Sequence, residues 1–314
     1  MRRRGTRLLA GAMTVTCMVL IGPSAPGDVF LSRSLPAEAA EDIVPNRVMT
    51  WNICNPCGAG NAGRAAEIAR YAPQVVGLQE ACVRDVEKIR DYLKGLHGLD
   101  YHVEYGTVLR NRGRCGGWPW RPGAFGQAIL SAAPMTDRVN VEYPDGGSED
   151  RGYLAVTTAV GGRPTRVFNT HLAQRRQEAV RAEQTGVLAK AVARHDRAIV
   201  LGDFNAVPHT PELTGMWSLA ADADPHCRPS PTGTGPTGSG VTGTGVCETT
   251  TDWHAKFDYV FLRDFVPLKH GVRPSPYSDH HLLHTDLAPA PTPRTSRRAS
   301  PTAVRPPAGA PRSG

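Results

Sequence analysis

The stretch AIVLGDFNA, residues 198–206, decides how the rest of the chain is read. An apolar strand, Ala198 to Leu201, runs into Gly202 and then presents Asp203 and Asn205 two residues apart. In an extended segment residues i and i+2 face the same side. That predicts a carboxylate and a carboxamide side by side at a strand end, where α/β proteins usually bind substrates. The carboxylate can hold a hard cation or orient a water, and the carboxamide can donate to an anionic oxygen without adding charge. The plainer alternative is an Asx turn that merely closes the strand.

Upstream, other strands also end in polar residues. Residues 165–171 read as a strand ending Asn169-Thr170-His171, and 174–194 as a long helix leading into 198–201. Further back, 47–52 (RVMTWN) alternates Val48 and Thr50 against Met49 and Trp51 and stops at Asn52. Residues 61–71 are helical, with Ala65, Ile68 and Ala69 on one face and Pro73 as the stop. Residues 74–80 (QVVGLQE) form a buried strand carrying Glu80 at its end, and 83–93 a second helix. From 101 to 171 strands dominate, with 124–131, 139–143 and 153–160 separated by clusters such as Pro144–Gly147 and Gly161–Pro164. Downstream, strands 257–262 and 282–287 flank PYSDH, residues 276–280. Strands alternating with helices argue for an α/β architecture.

Both ends stand apart from this pattern. Arg2, Arg3, Arg4 and Arg7, the apolar run from Leu8 to Ile21 and Ala37-Glu38-Ala39 have the order of a cleaved signal peptide over residues 1–39, and so predict an exported, extracellular protein. The apolar run is short for a membrane span, though an uncleaved anchor is the alternative. Residues 288–314 are rich in Pro, Ala, Arg, Ser and Thr, carry no acid, and read as a disordered basic tail. One folded domain is expected over 40–287, with 222–251 as a low-complexity insertion. The formal charge of +7 lies in the ends. Five arginines against two acids in 1–39 give +3, and five against none in 288–314 give +5, so 40–287 is left at −1. A strongly basic domain would have argued for polyanion binding; this one gives no such support.

Six cysteines follow the leader, and an even count in an exported chain argues for disulfides. Cys227 and Cys247 bracket the Gly/Thr/Pro/Ser run and are expected to pair. Cys54, Cys57, Cys82 and Cys115 are expected to make two bridges near the first strand. Cys54-Asn55-Pro56-Cys57 has a second reading as a redox pair, which would make the chain a thiol oxidoreductase; Pro56 and Gly58 make a loop there instead of the helix such a pair opens.

Strand ends and adjacent loops now supply Asn52, Glu80, His171, Asp203, Asn205, Asp258, Asp279 and His280. Each has a bland reading on its own: a helix-start acid for Glu80, a core histidine for His171, a loop-bonding acid for Asp258. Eight together where strands hand over to loops point to a site. The blocks TWN (50–52), LQE (78–80), GQAILS (126–131), NTH (169–171), GDFNA (202–206), KFDYVF (256–261) and SDH (278–280) resemble the endonuclease/exonuclease/phosphatase superfamily. Pancreatic-type deoxyribonuclease, exonuclease III-like nucleases and neutral sphingomyelinases belong to it. The resemblance implies a four-layered α/β/β/α sandwich of two mixed β-sheets flanked by helices, and metal-dependent hydrolysis of a phosphoester. It implies Mg²⁺, with Mn²⁺ or Ca²⁺ as substitutes, held by Glu80 with Asn52 and Asp279 nearby. It implies Asp203 on the attacking water, Asn205 on a phosphoryl oxygen, His280 oriented by Asp258, and His171 donating to the phosphate or leaving oxygen.

A nuclease or phosphodiesterase is therefore expected, with a sphingomyelinase-like phospholipase C or a small-molecule or inositol phosphatase as alternatives. The partner is a phosphoester in nucleic acid or in a phospholipid headgroup; a monomer with no obligate protein partner is expected. A silent binding protein on the same fold is the non-enzymatic alternative. Residues 110–121 (RNRGRCGGWPWR) set four arginines around Cys115 and a Trp-Pro-Trp. That loop can clamp phosphate and stack bases, enter a lipid headgroup region, or serve only as a pinned loop.

Overall fold

In the computed structural model, residues 42–58, 60–174, 176–227 and 247–291 are described. The leader 1–39 and most of the tail lie outside them. Strand β1 (Val44–Asn52) is followed by a 3-10 turn (Asn55–Cys57), helix α1 (Asn61–Tyr71), β2 (Pro73–Cys82) and α2 (Val83–His97). Then come β3 (His102–Arg110), a short α3 (Arg112–Cys115), the two-residue strands β4 (Gly117–Trp118) and β5 (Arg121–Pro122), and β6 (Ala124–Ser131). Strands β7 (Thr136–Glu142), β8 (Gly152–Val160) and β9 (Arg163–His171) lead to α4 (Glu178–Val192) and β10 (Ala198–Asp203). The chain continues through α5 (Thr214–Trp217), β11 (Ala221–Asp222), β12 (Asp258–Arg263), β13 (Phe265–Arg273) and β14 (Leu282–Pro289).

Two six-stranded mixed sheets result, ordered β13-β14-β1-β2-β6-β3 and β11-β12-β10-β9-β8-β7. Strand alternation explains their stacking. Val48, Val75 and Ile129 of the first sheet meet Val156, Val167, Ile199, Leu201 and Val260 of the second in one buried cluster. The opposite residues, Met49, Trp51, Val76 and Leu78, pack under α1 and α2. Val200, Tyr259 and Phe261 pack under α4 and α5. The layers run helix, sheet, sheet, helix, as the resemblance implied. The sheets approach closely at Gly77, where a Cβ would lie 2.8 Å from Asn169 Oδ1 and 2.9 Å from Leu201 Cβ.

Several boundaries differ from the sequence reading. The long helix is trimmed to 178–192, and β14 continues two residues past 287. β13 was not foreseen because Pro267, Lys269 and His270 break its apolar alternation at a sheet edge, where such residues are tolerated. The insertion is narrower than 222–251. Asp222 pairs in β11, and Asp224, Thr250 and Thr251 are buried. Lys256, itself buried, reaches Asp222 at 2.9 Å and Asp224 at 3.7 Å, so these flanks belong to the core. Low complexity marked the middle of the segment and misled about its edges.

The disulfides are Cys54–Cys57, Cys82–Cys115 and Cys227–Cys247, in line with the expected pairs. Cys54–Cys57 closes a single 3-10 turn after β1, not the start of a long helix.

One buried titratable group makes stability pH-dependent. His284 stacks on Tyr71 at 4.4 Å, and burial, reinforced by Arg47, brings its pKa down to about 4. Between pH 6.5 and 4 the unfolded chain binds a proton there that the folded chain refuses, so stability falls as the pH falls. The loss is on the order of 3 kcal/mol across that window. Urea midpoints at pH 7 and pH 4.5 should drop accordingly, and His284→Phe should flatten the slope. An unchanged slope in the variant would assign the acid sensitivity elsewhere, His270 being the next group held down by burial.

Candidate active site

Sheet register builds half of the site. β10 runs parallel to β9 with Asp203 opposite His171, and antiparallel to β12 with Asp203 opposite Asp258. One buried carboxylate therefore stands between an imidazole and a second carboxylate. Gly202 permits the close strand approach beside it, since a Cβ there would run into the Thr170 carbonyl oxygen. The strand stops at Asp203. Asn205 is left-handed, φ 49°, and its backbone N–H donates to Asp203 Oδ1 at 2.8 Å. The expectation that extended geometry sets Asp203 and Asn205 side by side is corrected: an Asx turn places Asn205 at the cleft. The Asn205 amide donates to Leu172 O at 3.1 Å, which uses one of its two N–H groups.

The first sheet supplies the facing half. Glu80 lies inside β2, not at its end, where the register with β6 shifts between Leu78 and Ala81. Its φ of 51° marks a bulge that re-aims the side chain. Gln79 meanwhile reaches across to Asn169 Oδ1 at 2.6 Å, and Asn169 donates to the Leu78 and Ala128 carbonyls. The middle residue of LQE and the first of NTH thus lock together the strands that carry Glu80 and His171. Asn52 donates to Asp203 Oδ2 at 3.0 Å and accepts from the Cys54 N–H at 3.0 Å. Ser278 Oγ donates to Asn52 O at 2.7 Å and accepts from His280 N at 3.1 Å, bracing the SDH loop against β1.

A cleft of about 650 Å³ opens over these elements, with Glu80, Asp203, Asn205, Asp279 and His280 in its wall. Among the described residues eight non-glycine positions have positive φ, and three of them, Cys54, Glu80 and Asn205, line this cleft. Strain of this kind gathers where side chains must be held out of regular geometry. His171 Nε2 lies 3.5 Å from Asp203 Oδ2 and 3.9 Å from Glu80 Oε1. His280 Nδ1 is 2.9 Å from Asp258 Oδ2, and its Nε2 is 3.7 Å from Asp203 Oδ2.

The titrations diverge. Burial pushes Asp203 up to about 7, against the pull of His280 and with a further push from Asp258. Burial and the Arg151 cation hold His171 well below the usual histidine value, so it is neutral. His280 is pulled down by burial, but Asp258 and Asp203 outweigh that and raise it to about 10. Two histidines on either side of one aspartate are thus in opposite charge states, the pattern of a site that handles protons. Burial also raises Glu80, with Arg151 opposing. Asp203, Asp258 and His280 each bring a ligand atom within 4.8 Å of the others, and such a group can hold a metal ion.

The sequence pattern of the Endonuclease/Exonuclease/phosphatase family matches residues 49–280, from the strand of Asn52 to His280. The chain belongs to that family. It is a phosphoesterase-type hydrolase, and the family's enzymes depend on divalent metals. Solved structures agree on the fold. An endonuclease/exonuclease/phosphatase from Beutenbergia cavernae is 23% identical, with a TM-score of 0.57 over 78% of this chain and 71% of that one. The human Nocturnin catalytic domain with bound sulfate is 21% identical, TM-score 0.56, over 78% and 94%. D. rerio TDP2 complexed with a single-strand DNA product is 17% identical, TM-score 0.52, over 77% and 98%. No curated protein matches the sequence.

All eight expected residues of this family member fall around the cleft or directly behind it, with Asp258 and His171 in the buried layer beneath. Two further residues escaped the sequence reading. Arg151 is 2% exposed, ion-paired with Glu149 at 2.6 Å, and supplies positive charge to both Glu80 and His171. Trp253, half exposed, sets its ring edge-on to His280 at 5.4 Å in the cleft wall. Both stand in loops that carry no periodic signal. His281 and His284 stay out of the cleft lining, His281 against Asp252 at 3.1 Å and His284 against Tyr71.

Proposed function

We propose that this family member is an exported, Mg²⁺-dependent phosphodiesterase that cuts nucleic acid. The observation that carries the reading is convergence on Asp203, a buried carboxylate set between a neutral His171 and a charged His280 at the wall of a cleft shared with Glu80 and Asp279. The donor set fits a hard cation. Glu80 and Asp279 offer carboxylate oxygens to the cleft, the all-oxygen environment Mg²⁺ prefers, and Asn52 stands behind them with its oxygen on the Cys54 N–H. His280 suits that role less, because Asp258 and Asp203 keep it protonated and so without a lone pair to give. When bound, the cation would neutralise charge on the phosphoryl oxygens.

The chain's own groups do the rest. Asp203 orients the attacking water and accepts its proton; Asn52 and the Asn205 N–H fix the carboxylate for this. The second N–H of the Asn205 amide reaches a phosphoryl oxygen. His280, held by Asp258, presents a charged N–H to the phosphate or the leaving oxygen, and His171 sits beneath as a neutral partner. Positioning plus charge neutralisation suffices for phosphoryl transfer. Export rests on the leader in residues 1–39 and on three disulfides, which persist outside the cytosol.

The purified protein should nick supercoiled plasmid in Mg²⁺, lose that activity in EDTA, and regain it when Mg²⁺ is restored. Nicking that survives chelation would remove the metal from the reading. No nicking, with hydrolysis of sphingomyelin vesicles instead, would establish the phospholipase alternative.

A further inference from the structure

The arm spanning 110–123 plays no part in the chemistry above, yet it is built and not merely loose. Asn111 caps α3 by accepting from the Arg114 N–H at 3.0 Å. Gly117 and Trp118 pair with Pro122 and Arg121 in a small hairpin, with Pro119 and Trp120 at its tip. Gly123 fits only because it lacks a Cβ, which would strike Cys115. The Cys82–Cys115 bridge ties the arm to β2 two residues beyond Glu80. Arg114 is ion-paired to Glu149, the same carboxylate that holds Arg151 beside Glu80 and His171. The arm therefore stands at the Glu80 edge of the cleft.

What it exposes is specific. Trp118 and Trp120 are 64% and 79% exposed, stacked at 5.5 Å with their rings 15° from parallel. A second, shallower groove of about 510 Å³ runs beside them, lined by Arg84, Arg110, Arg121, Trp118 and Tyr105, with Glu87 as its one carboxylate. Arg84, Arg110, Arg112 and Arg121 are exposed, and none forms an ion pair among the described residues. Paired solvent-facing indoles ringed by unpaired arginines form a surface suited to an anion that also presents flat rings.

We propose that this arm is a binding subsite for a single strand of nucleic acid, taking the substrate beyond the scissile phosphate. The inference rests on the phosphodiesterase reading and deepens it by naming single-stranded chain as the favoured substrate. Charge complementarity points to a polyanion, and the stacked indoles offer a ready platform for successive bases. Bases offer their faces only when unpaired, which selects single strands. A bilayer would engage only the three-residue tip, Trp118, Pro119 and Trp120, and leave the arginine-lined groove beside it unused.

The test uses the full-length protein in EDTA, so that nothing is cut, with a fluorescein-labelled oligothymidylate, the same sequence as duplex, and phosphatidylserine vesicles. The single strand is expected to bind tightest. Trp118→Ala/Trp120→Ala should weaken it by tenfold or more, and the double Phe variant should restore most of the loss. Arg110→Gln/Arg121→Gln should weaken it and reduce its salt dependence. With Mg²⁺, the alanine pair should raise KM for the oligonucleotide while leaving kcat on bis(p-nitrophenyl) phosphate unchanged. Oligonucleotide affinity and KM indifferent to these variants would overturn the proposal, even if nicking persists. So would Trp-dependent binding to vesicles with none to the single strand. If the single strand binds through the tryptophans but no nucleic acid is cut, the arm stands and the nuclease reading falls.

Discussion

Asp203→Asn is expected to lower kcat for plasmid nicking by about three orders of magnitude while leaving the urea midpoint unchanged or higher. The change is isosteric, so it opens no cavity. What it removes is a negative charge on which Asn52 Nδ2, the Asn205 N–H and two histidine ring nitrogens converge. Of these, the two hydrogen bonds at 3.0 and 2.8 Å fix the carboxylate, and the histidines at 3.5 and 3.7 Å set its field. Burial has already made that charge costly, as its pKa near 7 records. A neutral amide relieves the cost and so favours folding, although one of its N–H groups must face a former donor, an offset of about 1–3 kcal/mol. Activity and stability should therefore part company, the signature of a group kept for chemistry at the expense of the fold. A kcat within tenfold of the wild type would remove Asp203 from the centre of the site.

The site was legible in the sequence to the extent that function sits at strand ends. Asp203, His171 and Asp258 share one register row across three strands, and each announced itself as a polar residue at the end of an apolar run, His171 and Asp203 closing theirs and Asp258 opening its own. The two-residue alternation read in β1 likewise holds, with Val48 in the inter-sheet core and Met49 and Trp51 in the helix-facing layer. Local backbone geometry was legible only as the Asx-turn alternative at Asp203. A bulge at Glu80 and a left-handed turn at Asn205 depend on which neighbour pairs with the strand, and pairing is a tertiary property. Arg151 and Trp253 were missed for the same reason: they reach the site from loops, and only the folded chain sets one against Glu80 and the other against His280. The flanks 222–227 and 247–251 looked like an insertion because composition averages over neighbours, while burial is decided residue by residue.

Asp258→Asn should lower kcat by about two to three orders of magnitude, with a pH dependence that discriminates between two roles for His280. The Asp258 carboxylate lies 2.9 Å from His280 Nδ1, and together with Asp203 it raises His280 against the pull of burial to about 10. With Asp258 charged, His280 remains an imidazolium across the neutral range and presents an N–H from Nε2. Replacing the carboxylate by an amide preserves an oxygen that can accept from Nδ1, so the ring keeps its orientation. What is lost is the charge that held the proton, and the His280 pKa falls. In the variant the imidazolium is then depleted as the pH rises, and the defect relative to wild type should widen from pH 6 to pH 8.5. Had His280 worked as a neutral base, the ratio of wild type to variant would also rise with pH, but the variant's own kcat would climb and level off, because losing the neighbouring charge frees the base. Wild-type and variant kcat across that interval, on one oligonucleotide substrate at saturating Mg²⁺, separate the two. A variant kcat that falls toward pH 8.5 assigns His280 to charge stabilisation at the phosphate or leaving oxygen, and leaves Asp203 as the carboxylate that handles the water.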